Sequence, residues 1–74
     1  VIAADPLPSL YQGIGNHHYA IAKDGRVPMV DRIRHSLSAI AAYVAARDWI
    51  FESEARKHRQ RLIARHLRER GGAL

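Results

Sequence analysis

Seventy-four residues, a net charge of +5 and no cysteine set narrow bounds. A chain this short forms one domain at most and buries only about 60% of the surface its unfolded form exposes. Without cysteine it has neither disulfides nor thiolate zinc sites to make up the difference, so a protein partner or a homo-oligomer is the expected source of extra stability.

No apolar run approaches the ~20 residues that span a bilayer, and Val1-Ile2-Ala3-Ala4-Asp5 has no basic segment of the kind that opens a signal peptide. The expected location is the cytoplasm or the interior of a virion or particle, neither secreted nor transmembrane. An opening on Val1 rather than Met reads as a fragment, a processed product or a non-ATG start. Arg outnumbers Lys ten to two and alanine is abundant, a bias associated with GC-rich bacterial or phage genomes.

Residues 1–27 read as an N-terminal arm. Pro6 and Pro8 hold the residues before them extended, and Gly13, Gly15 and Asn16 supply turn chemistry. Leu7, Leu10, Tyr11 and Ile14 are too apolar for a free tail, so the arm is expected to lie against something. Tyr19 to Lys23 alternates apolar and polar, and Asp24-Gly25 is a hairpin turn signal. A short β-hairpin over about 19–27 is one expectation and a plain loop the other.

Residues 28–74 read as a basic amphipathic helical segment. From Met29 to Arg70 there is neither Gly nor Pro. Pro28 suits a first helical turn, with Asp31 as an alternative cap, and Gly71-Gly72 suits a stop. Ile33, Leu37, Ile40, Val44, Phe51, Ala55 and Leu62 fall within about 60° on an ideal wheel. Their eleven-residue spacing keeps the stripe straight over one helix of about 40 residues. The alternative is an αα-hairpin broken near Arg47–Ser53, with Ser53 as cap. The fold class is therefore mainly α: an irregular arm, then one long helix or a helical hairpin over about 29–70.

The charge is unevenly placed. Residues 1–30 are neutral, residues 31–55 carry −1, and residues 56–74 carry +6 from seven basic side chains against Glu69. Such asymmetry points to an anionic partner. Lys57, Arg61, Arg65 and Arg68 fall within about 80° of one another on the helix, flanked by Arg56, Arg59 and Arg70. The row suits a phosphate backbone, an acidic protein surface or plain solvation. No stacking aromatic and no known base-reading motif accompanies it, so backbone contact is expected rather than sequence reading. Ile33, Leu37, Ile40, Val44, Trp49, Ile50 and Phe51 form the expected protein interface, the aromatics at its centre.

Nothing in the sequence has the pattern of an active site. Asp31, His35 and Ser38 share a helical face, but a catalytic triad also needs an oxyanion hole and a pocket. Gly13-x-Gly15 lacks the Gly-Lys-Ser/Thr of a phosphate loop. His17, His18, His35, His58 and His66 show no metal-ligand spacing, and neither metal, cofactor nor small-molecule substrate is expected. The function expected is a non-catalytic assembly or adaptor subunit of a larger complex, docking by its apolar face and offering its basic end to an anionic partner. The alternative is a small dimeric regulator gripping a nucleic-acid backbone.

Overall fold

The computed structural model describes residues 6–71. Among them it contains three helices and no strand: α1 (Leu7–Lys23), α2 (Met29–Ala45) and α3 (Trp49–Gly71). The chain is mainly α, as its composition and periodicity imply. The finer expectations need correcting at two places. Residues 1–5 of the arm, and Gly72 of the stop signal, lie outside the described residues.

The first correction is α1. The arm is not irregular from Leu7 onward, and residues 19–23 form helix rather than a strand. Pro6 is the N-cap and Pro8 falls in the first turn, where a missing N–H costs nothing. The prolines therefore start a helix instead of preventing one. Gly13 and Gly15 each cost the helix about 1 kcal/mol relative to alanine, and tertiary packing outweighs that cost. Asp24-Gly25 does turn the chain, but between two helices. Asp24 Oδ1 accepts a hydrogen bond from the Arg26 backbone N–H at 2.9 Å, and Arg26 Nη2 lies 2.9 Å from Asp24 Oδ2. The Arg26 guanidinium holds the Asp24 carboxyl at a pKa of about 2.

The second correction is the break between α2 and α3, which replaces the single long helix with the helical-hairpin alternative. Asp48 N–H donates to Tyr43 O at 3.0 Å and Arg47 N–H to Val44 O at 3.1 Å. These are the two bonds of a Schellman C-cap, with Arg47 at φ 57° in the left-handed position that glycine usually fills. Asp48, not Ser53, caps α3: its Oδ1 accepts the Phe51 N–H at 3.1 Å. Its other carboxylate oxygen accepts from Gln12 Nε2 at 2.7 Å, which ties the turn to α1. A left-handed arginine costs about 1–2 kcal/mol and a glycine there loses about 0.5–1 in chain entropy. Arg47→Gly is therefore expected to stabilise the fold by about 0.5–1 kcal/mol, read as a higher urea midpoint at unchanged slope.

The helices run antiparallel in sequence, with α1 and α3 both packed on α2. The core is built from Ala39, Ile40, Tyr43 and Ala55, with Tyr19 of α1 packed against it. Small residues let the helices approach closely. Gly15 is the tightest case, since a Cβ there would lie 2.7 Å from Tyr43 Cε1. Tyr43 is fully buried. Its hydroxyl donates to Asn16 Oδ1 at 2.6 Å, and its ring stacks on Phe51 at 5.5 Å.

At the far end of α1 the three helices meet on one atom. Ala22 O, a carbonyl left free by the helix end, accepts from Arg32 Nε at 3.0 Å and from His58 Nε2 at 2.9 Å. Helix α3 is six residues longer than α2, and beyond Leu62 none of its residues is fully buried.

Candidate binding surfaces

The break at residues 46–48 turns the basic end into its own helix, α3, which lies back along α2. Its first turn carries Glu52 and its last turn Arg68 and Arg70, both suited to the helix dipole. Ala55 and Leu62 fix the buried side. Lys57, Arg61 and Arg68 lie roughly opposite Ala55 around the helix, and with Arg65 all are exposed. From Lys57 to Arg68 the row runs about 16 Å.

These cations are not equivalent. Arg56 pairs with Glu52 at 2.8 Å, Lys57 with Glu54 at 3.8 Å and Arg65 with Glu69 at 2.9 Å. Exposed pairs of this kind contribute about 0–1 kcal/mol, so they hold these cations only weakly. Arg61, Arg68 and Arg70 have no acidic partner among the described residues.

Arg59 is the exception. Its Nη1 donates to Ile33 O at 2.7 Å and to Ser36 Oγ at 3.3 Å. It clamps α3 to α2, so one nitrogen of its fork is already engaged within the chain. Its place on the apolar flank of the row puts it against α2, a contact that the sequence does not reveal.

The expected protein interface also divides. Ile40 is buried in the chain's own core and Ile33 is half-buried, so neither forms an open docking face. Phe51 is partly occupied by Tyr43. Leu37 and Val44 remain about half exposed, while Trp49 and Ile50 are 75% and 69% exposed at the start of α3. Trp49 and Ile50 border an open cleft of about 350 Å³ between the first turns of α1 and the α2–α3 turn, with Gln12, Arg47 and Asp48 on its walls.

A histidine pair went unforeseen, because nothing in its sequence spacing marks it. His18 Nδ1 and His35 Nδ1 lie 2.8 Å apart across α1 and α2, with the rings stacked at 5.0 Å. One ring must carry its proton on Nδ1 and the other must leave Nδ1 bare. His35 is thus turned toward α1, while Ser38 Oγ bonds Arg34 O; the Asp31, His35, Ser38 set is not assembled. Among the described residues no three His, Asp or Glu side chains are placed to hold a metal ion.

Burial, then the neighbouring His35 and His17, lowers the His18 pKa below 6.5. The unfolded chain therefore binds this proton at a higher pH than the folded one. Stability from this site is complete above about pH 6.5 and is lost as pH falls through and below it. Urea midpoints measured from about pH 8 to pH 5 are expected to fall on the acid side, with a shallower fall in His18→Gln.

Among the described residues no helix is long and apolar enough to cross a membrane. Comparison with models of known families, with curated protein sequences and with solved structures finds no match to this chain.

Proposed function

We propose that this chain is a non-catalytic helical subunit that joins a larger assembly, of the kind found in a virion or a nucleoprotein particle, and presents α3 to an anionic partner. The observation that carries the reading is the exposed cationic row of α3, in which Arg61 and Arg68 have no acidic partner among the described residues while Ala55 and Leu62 anchor the opposite side. Exposed Trp49, Ile50, Leu37 and Val44 supply apolar surface for a neighbouring protein. Arg forks match phosphate and carboxylate alike, but a straight row of about 16 Å suits the regularly repeated charges of a nucleic-acid backbone, which is the preferred anion over an acidic protein. A small dimeric regulator would use the same row; the uncharged α1 surface described below favours that second reading.

The test is a salt titration of duplex DNA, single-stranded DNA and RNA binding by the whole chain. Three phosphate contacts predict about a 40-fold loss of affinity between 50 and 200 mM salt. Reversing Arg61 and Arg68 together to glutamate should abolish binding without unfolding the chain, since both are exposed. Affinity indifferent to salt over that range would sink the reading.

A further inference from the structure

We infer that α1 is a self-association face: two copies of this chain pair through it as an antiparallel dimer, with Ile14 of each copy seated over Gly13 of the other. Four observations lead there. Between Pro6 and Ala22 the sequence contains no Asp, Glu, Lys or Arg, although α1 is a surface helix. Leu7, Leu10, Tyr11 and Ile14 remain 37–58% exposed, and with Ile21 they follow the seven-residue spacing of a helix–helix seam. Gly13 faces open space, with nothing within 4 Å of where its Cβ would be. This fold makes no use of that glycine, whereas Gly15 is required by Tyr43. Finally, Ser9, Leu10, Gly13, Ile14, His17 and His18 enclose a shallow, mainly apolar depression on α1 itself.

A protruding Ile14 beside a hollow at Gly13 is a self-complementary surface. In a two-fold pair, if residue i meets residue j then j meets i. An antiparallel alignment centred between residues 13 and 14 sets each Ile14 on the other Gly13. The same alignment brings Leu7 to Ala20 and Leu10 to His17. Glycine allows the two helix backbones to come close.

Charge selects a second copy over other occupants. A neutral face offers nothing to a charged partner and no repulsion to itself. The seam lies roughly 140° around α1 from Tyr19, the residue that meets His58 of α3. The two strongly basic α3 helices therefore sit on the outside of the pair, away from each other. The chain also has reason to pair: its core contains only Ile40, Tyr43 and Leu62 as large buried apolar residues, against eleven large apolar residues left exposed among those described. One helix pair buries less than the ~800 Å² per partner of a standard interface, so a dissociation constant in the micromolar range is expected.

The test is sedimentation equilibrium of the full chain over a wide concentration range, with two variants. Wild type should pass from monomer to dimer. Gly13→Ala fills the hollow yet meets nothing within the monomer and favours helix. It should raise the thermal midpoint of the dilute chain while weakening the dimer at least about tenfold. Ile14→Glu should be monomeric throughout, with helicity retained. A wild-type chain that stays monomeric overturns the inference, as does a dimer unaffected by both substitutions. The outcome is separable from the α3 reading: a monomer that still binds polyanions with a salt slope overturns the dimer alone, and a dimer indifferent to polyanions overturns only the α3 reading.

Discussion

Alanine at Gly15 is expected to destabilise the protein by about 2–3 kcal/mol, whereas alanine at Gly13, two residues away, is expected to stabilise the dilute monomer by up to about 1 kcal/mol. Both changes remove the same backbone penalty. They differ in what the new methyl group meets. At Gly15 it would lie 2.7 and 2.8 Å from Tyr43 Cε1 and Cδ1, well inside van der Waals contact. The ring cannot step aside freely, because its hydroxyl is bonded to Asn16 and its face is stacked on Phe51. Either α1 lifts away from α2 or Tyr43 gives up its partners. Urea denaturation of the two variants side by side checks the claim; equal shifts in the same direction would refute the close packing of α1 on α2.

Truncation of Tyr43 itself should have the largest effect. Tyr43→Ala removes the largest fully buried side chain and leaves a cavity between all three helices, at a cost of about 3–5 kcal/mol. A single core in a chain of this size supplies about 3–5 kcal/mol in total, so the variant is expected to be largely unfolded at room temperature by far-ultraviolet circular dichroism. Tyr43→Phe separates packing from hydrogen bonding. It loses only the bond to Asn16, whose exposed side chain turns to water instead, so about 1 kcal/mol is expected. If the alanine variant kept full helicity with an ordinary denaturation curve, Tyr43 would not be the centre of the core.

The helical class and the extent of the basic end were legible because both are properties of local pattern. The stripe through Ile40, Ala55 and Leu62 correctly marks buried positions, but it was consistent with a straight helix whose burial came from another chain. The turn that folds it back is made by Arg47 in a conformation that glycine normally signals, and by Asp48 as cap. Neither residue type breaks a helix by propensity alone, so the strongest local cue was missing.

The same mechanism in reverse hid α1. Its prolines and glycines have loop chemistry, yet Pro6 and Pro8 sit where a helix tolerates them, and Gly15 answers to a ring 28 residues later. The apolar character of Leu7, Leu10, Tyr11 and Ile14 was visible, but all four stay exposed, so they do not mark the face by which α1 packs on α2. The inward bonds of Arg59 and His58 are invisible in the sequence for a related reason. Their partners, Ile33 O and Ala22 O, are backbone atoms of other helices, and no side-chain pattern announces a backbone acceptor.

The overhang of α3 past Leu62 also bears on how this end of the molecule behaves in time. From Ile63 to Gly71 the helix is held by its own backbone bonds and by the Arg65–Glu69 pair, with little tertiary packing to resist opening. Its amides should exchange with deuterium far sooner than those around Ala39 and Tyr43, because local opening there does not require the core to come apart. A bound polyanion that neutralises Arg65, Arg68 and Arg70 would remove their mutual repulsion and slow that exchange. The tip of α3 would then act as an order-on-contact element, whose protection from exchange reports occupancy directly.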